Sequence, residues 1–316
     1  MKVLFINRPK SAWVGGDYIQ LEKTAEALAK LGVDVDISET PLISPAIKMK
    51  EYDIVHVWNF SMSWCKLAIW AGVKWKKKIV ASMIYHEGDQ FISYPHQQVM
   101  LDHTDAAIFL SKTEIDRVKR HLTIKDKQIR IIPNGIDEMF FNDLAIEKQD
   151  KVLTVGRIEP NKGQLAVAKA CKELGIEYIC IGQIIDKEYA KKLRKYDALI
   201  ITSLAQKDLI PYYAEAKVVA LVSQAEVFPL TVMEGGAQGC NVVITSHSEW
   251  KPDGAEIAEF DDVKSIRKAI EKSMKKDYNI ILKRTLEQMT WDQVGEQVLQ
   301  VYKEILNESI DTHTSI

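Results

Sequence analysis

The sequence predicts an α/β protein built from two Rossmann-like, doubly wound domains facing one cleft. Three observations predict this. Short β-rich runs alternate with helical runs along most of the chain, and that alternation implies right-handed βαβ crossovers. Several of the β-rich runs are almost continuously apolar, as expected of parallel strands covered on both faces. The alternation breaks once, in the loop-like "NGIDEMFFNDLAIEKQD", and then restarts. The chain has 316 residues, and at roughly 150 residues per domain that length agrees with two domains.

In the first half, "KVLFIN" (2–7) reads as a strand. "DYIQLEKTAEALAKLG" (17–32) reads as a helix, with Tyr18, Leu21, Ala25 and Leu28 on its apolar side and Gly32 as its stop. Further strands are expected at 34–38, 52–58, 78–85, 106–111 and 128–133. After the break, strands are expected at 151–157, 177–182, 197–203, 217–223 and 241–246, with a helix from Gly163 to Leu174. From about residue 263 the pattern is helical, ending in "TWDQVGEQVLQVYKEIL" (290–306). The expected domains are 1–140 and 150–290, with 291–316 a C-terminal helix and tail.

Hydrophobic residues make up 47% and charged residues 27%, the balance of a soluble globular chain with enough apolar surface for two cores. A net charge of −2 gives no basic field for nucleic acid. The four cysteines, Cys65, Cys171, Cys180 and Cys240, form no CxxC pair and are expected to be reduced and mostly buried in a cytoplasmic protein. "MKVLFINR" reads as a strand rather than a signal peptide, and no apolar stretch approaches membrane-spanning length.

Tandem open α/β sheets bind ligands beyond the carboxyl ends of their strands. Strand-end polar residues are therefore the candidates. Gly15 and Gly16 open the first helix, where backbone N–H groups favour an anion; a plain turn is the competing reading. No G-x-G-x-x-G is present, which argues against an ordinary dinucleotide site. His86 follows a strand directly, where histidines are also commonly structural. In "VGRIEPNKG", Arg157 and Lys162 flank a turn and Gly163 opens a helix, a set suited to a diphosphate or else two solvated surface charges.

"EVFPLTVMEGGAQGC" carries Glu226 in a loop and Glu234 eight positions later. Pro229 suits the first position of a helix, which leaves the amides of Leu230 and Thr231 free beside Phe228. Two carboxylates astride a helix start can hold a polyhydroxylated, phosphorylated ligand. Helix-start acids favoured by the dipole are the alternative. Gly235 and Gly236 each weaken a helix by about 1 kcal/mol, which predicts a close backbone approach there.

Other signals are read as structural. Asp34-Val35-Asp36 lies on an alternating strand and is not expected to bind metal. Ser111 and Glu114 have capping-box spacing. Trp58, Trp64, Trp70 and Trp75, near "KWKKK", form either core or a basic–aromatic face for peripheral membrane contact.

Together these segments resemble the retaining family-four glycosyltransferases (glycosyl transferases group 1), which have the GT-B fold. The likeness is carried by E-x7-E (Glu226, Glu234), the G-R…K-G element "VGRIEPNKG", "IPNGID" (132–137), the Gly15-Gly16 loop and the strand-end His86, in register along nearly the whole chain. The resemblance implies a C-terminal helix crossing back to an acceptor-side first domain, and a second domain that binds a nucleotide-sugar. It implies that Glu234 takes the ribose, Glu226 contacts the sugar and His86 lines the reaction centre. Arg157 and Lys162, with Gly16 and the amides at Leu230 and Thr231, neutralise the departing diphosphate. No metal or other cofactor is implied. The acceptor is a hydroxyl of open type, and nucleic acid is not expected. Two other classes stay open: a sugar-nucleotide epimerase, which needs no acceptor, and a non-catalytic nucleotide-sugar-binding protein.

Overall fold

The computed structural model describes residues 1–7, 15–38, 49–85, 92–142, 144 and 146–311. Residues Met1–Gly135 and Trp291–Ile316 form one compact unit and Ile136–Thr290 the other.

In the first unit the elements run β1 (Lys2–Ile6), α1 (Gly16–Lys30), β2 (Asp34–Ser38), β3 (Ile54–Trp58), α2 (Ser63–Lys74), β4 (Lys78–Ser82), α3 (Tyr94–Asp102), β5 (Ala106–Phe109), α4 (Lys112–Val118) and β6 (Ile129–Ile131). All strand pairs are parallel, in the order β2-β1-β3-β4-β5-β6. The order reverses between β1 and β3, the switch point beyond which such sheets take ligands. Strands β3 to β5 are buried nearly throughout, which explains their continuous apolar sequences. Helix α1 buries Tyr18, Leu21, Ala25 and Leu28, the side expected from periodicity.

The second unit contains β7 (Gln149–Val155), α5 (Gln164–Leu174), β8 (Glu177–Ile181), α6 (Lys187–Arg194), β9 (Leu199–Ile201), α7 (Gln206–Glu215), β10 (Ala216–Leu221), α8 (Leu230–Ala237), β11 (Asn241–Thr245), β12 (Glu256–Ala258), α9 (Val263–Met274) and α10 (Ile280–Leu286). Its parallel sheet has the order β12-β11-β10-β7-β8-β9, with the switch point between β7 and β10. The edge strand β12 was not expected from the sequence, because its three residues carry no alternation long enough to read.

The two ends of the second unit lie side by side. Ile136 bridges Thr290 in parallel and donates its N–H to the Met289 carbonyl at 2.7 Å. The chain then returns to the first unit as α11 (Trp291–Asp311). Gly295 of α11 packs on Ala27 of α1, where an added Cβ would lie 2.6 Å from the Ala27 Cβ. Lys30 pairs with Asp292 at 2.7 Å, and Arg130 with Glu304 at 2.9 Å. In the interior, the His56 ring contacts the Tyr302 hydroxyl at 2.6 Å and Ser82 Oγ at 3.0 Å. Burial lowers the His56 pKa, so the ring stays neutral.

Three expectations gain detail. The second unit starts at Ile136, ahead of the boundary expected at 140–150. The reason is that Phe140 is fully buried against Tyr213, and Gln238 Nε2 donates to the Phe140 carbonyl. The capping box at Ser111 is only half made. Ser111 Oγ accepts from the Glu114 amide at 3.0 Å, but the Glu114 carboxylate turns inward. Its two oxygens accept from the amides of Tyr85 at 2.8 Å and Leu110 at 2.7 Å, tying the chain beyond β4 to the end of β5. Of the four tryptophans, Trp58 is core and Trp64 packs partly on it, whereas Trp70 and Trp75 are exposed. Asp36, by contrast, is in a structural network, accepting from Tyr52 at 2.7 Å and pairing with Lys2 at 3.1 Å.

All four cysteines are buried and unpaired. Burial pushes the Cys171 and Cys180 thiols up to about 12. The thiolate is the reactive form. Ellman's reagent is therefore expected to titrate no thiol in the native protein and all four in denaturant. Rapid native reaction would show that the interior around α5 and β8 opens readily.

Candidate active site

The second unit places its strand-end residues on both sides of the β7/β10 switch point. After β7 the chain turns through Gly156 and Arg157 into a single 3-10 turn, Pro160–Lys162. Gly163 then starts α5 in the left-handed conformation, φ 67°. A side chain there would collide with the Val222 carbonyl at the end of β10, so only glycine lets the two strand ends close up. The Gln224 amide donates to the Asn161 carbonyl at 2.8 Å, locking the two loops together.

This closure brings Lys162 to Glu226, Nζ to Oε1 at 2.7 Å, with both side chains mostly buried. The Glu226 backbone is fixed from the other side. It bridges Ser248, and the amides of Glu249 and Trp250 donate to the carbonyls of Glu226 and Val227. Phe228 stacks on Trp250 with ring centroids 4.4 Å apart. Arg157 pairs with Glu159 at 2.9 Å and keeps 36% side-chain exposure. Its carbonyl accepts from Gln164 Nε2 at 2.6 Å, which steadies the turn. Each candidate phosphate-binding cation thus carries a carboxylate partner. Glu159 was not singled out from the sequence, where it reads as an ordinary turn residue beside Pro160.

Pro229 is the N-cap of α8 rather than its first helical residue, with extended backbone at φ −75°, ψ 117°. Its carbonyl accepts from the Val232 amide at 3.2 Å, so the helix ladder takes up amides from Val232 onward. Leu230 and Thr231 remain the first-turn residues, whose N–H groups precede that ladder.

Glu234 sits one turn along α8 and is 4% exposed. Its oxygens accept from the Tyr213 hydroxyl at 2.7 Å and Gln206 Nε2 at 2.9 Å. Burial raises its pKa, against the two hydrogen bonds and with the Asp137 charge adding to the rise. Tyr213 and Gln206, both on α7, lie 21 and 28 positions away, and no local pattern marks them. Gly235 and Gly236 do allow a close approach, but of protein rather than ligand. An added Cβ would lie 2.5 Å from Val219 Cγ2 of β10 at the first, and 2.6 Å from Leu282 Cδ2 of α10 at the second.

In the first unit, Gly15 is the extended N-cap of α1 and its carbonyl accepts from the Tyr18 and Ile19 amides; Gly16 begins the helix. Beside them Asn59 Nδ2, at the end of β3, donates to Asp17 Oδ2 at 2.9 Å and Asn7 Oδ1 at 3.2 Å. His86 lies outside the described residues.

Residues 136–284 match the family model described as glycosyl transferases group 1, and residues 36–139 match that of glycosyltransferase family 4. No curated protein matches the sequence. Among solved structures, the chain is similar to a sucrose-phosphate synthase from Thermosynechococcus elongatus, with TM-score 0.78 and 16% identity over 97% of this chain and 99% of that one. It is similar to Anabaena Alr3699/HepE in complex with UDP, with TM-score 0.77 and 15% identity over 96% and 100%. A glycosyltransferase from Rickettsia africae gives TM-score 0.74 and 15% identity over 96% and 98%. With the two matches together running from residue 36 to 284 and two parallel-sheet units of the matching fold, the chain is a glycosyltransferase of GT-B fold.

Proposed function

We propose that this glycosyltransferase is retaining and independent of metal, moving a sugar from a nucleotide-sugar to an acceptor hydroxyl. The observation that carries the reading is Lys162, in the loop that Arg157 opens after β7, joined to Glu226, in the loop that leads from β10 into α8. Charge builds on the departing diphosphate as the glycosidic bond breaks. Fixed cations and first-turn amides stabilise that charge without reorganising. Arg157 and Lys162 exchange Glu159 and Glu226 for phosphate oxygens when the donor binds. Glu226, once released from Lys162, is free to accept hydroxyls of the sugar, and Glu234 those of the ribose. The second unit is then the donor domain and the first the acceptor side. Uridine diphosphate sugars are the first donors to try, since the Anabaena protein is described with UDP and with UDP-glucose.

The test is a transfer assay with a panel of nucleotide-sugars and hydroxyl acceptors in excess EDTA. Full activity in chelator is expected, with NMR of the first product showing the donor's anomeric configuration. Loss of transfer restored only by Mn²⁺ or Mg²⁺, or an inverted linkage, would overturn the corresponding part. An isomerised nucleotide-sugar formed without acceptor would make the protein an epimerase. Donor binding with no turnover on any acceptor would make it a binding protein.

A further inference from the structure

Helix α2 carries a surface made of none of the candidate site residues. Its inner face buries Cys65, Ala68, Ile69 and Gly72. The outer face should then be polar in a helix that meets only water. Instead Leu67 is 46% exposed and Trp70 is 44% exposed, one turn apart, and Trp75 at the C-cap is 41% exposed. Val99 on the neighbouring α3 is 42% exposed, and His103 at the end of α3 packs its ring against Trp70 at 5.5 Å. Leaving this much indole and aliphatic surface in water is costly.

Lysines surround the patch. Lys66 and Lys74 lie on α2, and Lys76 and Lys77 follow directly. Lys50 holds its ammonium over the Trp75 ring at 5.1 Å, and Lys77 Nζ donates to the Lys50 carbonyl at 3.0 Å. This contrasts with Lys78, which is neutralised by Asp105 at 2.9 Å. Tryptophan sits stably at the headgroup level of a bilayer, and lysine reaches from there to anionic phosphates.

We infer that the α2 face, Leu67, Trp70 and Trp75 ringed by lysines, is a docking surface for an anionic lipid bilayer. The protein binds peripherally: the aromatic rings enter the interface and the ammonium groups meet lipid phosphates. Among the described residues no helix is long and apolar enough to cross the membrane. The inference is independent of donor and acceptor identity.

Co-sedimentation of the full chain with vesicles tests it. Binding to phosphatidylcholine vesicles containing phosphatidylglycerol is expected to exceed binding to phosphatidylcholine alone by tenfold or more, and to fall steeply in high salt. Lys74→Gln with Lys76→Gln should weaken binding by roughly fivefold per lysine. Trp70→Ser should weaken it by on the order of tenfold. Lys268→Gln, on α9 of the other unit, serves as the charge control and should change nothing. Circular dichroism checks that each variant is folded. The lipid and salt dependence of the unaltered protein stands even where a variant does not fold. Equal binding to both vesicle types, no binding to either, or an effect of Lys268→Gln as large as that of the α2 lysines would overturn the inference. So would tight binding to duplex DNA without vesicle binding, which would assign the face to a different polyanion.

Discussion

Arg157→Ala is expected to lower kcat by about 10²–10³, or roughly 3–4 kcal/mol of transition-state stabilisation, the usual effect of losing one preorganised donor. The donor KM should change far less, because the charge that Arg157 meets grows as the bond breaks. Its carboxylate partner makes the variant informative. Removing the guanidinium leaves Glu159 unneutralised, with 14% side-chain exposure, beside the proposed diphosphate position. A second variant, Arg157→Ala with Glu159→Gln, removes that repulsion. If it recovers part of the loss, the repulsion is part of the single variant's effect. Steady-state kinetics on both decide the matter. A near-normal kcat for Arg157→Ala would mean that the arginine is only a surface charge paired with Glu159.

Glu114→Ala is expected to destabilise the first unit by about 2–6 kcal/mol, because each buried N–H left without an acceptor costs about 1–3 kcal/mol. Two such groups are involved, the amides of Tyr85 and Leu110. A sequence-local view, in which Glu114 merely closes a capping box, predicts about 1 kcal/mol instead. Urea unfolding of the variant separates the two figures. A loss below 1 kcal/mol would mean that water or a rearranged loop satisfies both amides.

The strands were legible in the sequence where they were long and apolar. Each of β3, β4 and β5 falls inside its expected run, and β10 starts one residue ahead of its own, because burial on both faces leaves little choice of residue. Strand ends were overextended by one to three residues, since the apolar run continues into buried loop segments such as Met83 and Val222. Candidate site residues were legible as residue types at strand ends. Their pairing was not. Lys162 and Glu226 lie 64 positions apart, and their loops meet because Gly163 leaves room for the Val222 carbonyl and the Gln224 amide bonds the Asn161 carbonyl. The close approach at Gly235 and Gly236 was legible, but not what approaches: a glycine pair does not say that the neighbours are β10 and α10. Pro229 was displaced by one position, a difference that helix-start patterns do not resolve.

The bridge between Ile136 and Thr290 closes the second unit on itself, so that unit is an insertion within the first. A ribosome therefore makes every residue of the inserted unit before it makes α11. The insertion has all its strands while the first sheet still lacks the helix that carries Tyr302, Glu304 and Gly295. Until then the neutral ring of His56 has no tyrosine hydroxyl, and Ala27 on α1 faces no glycine. The order of maturation thus departs from the order of the amino acids: the inserted unit is complete first, and the first sheet waits for α11.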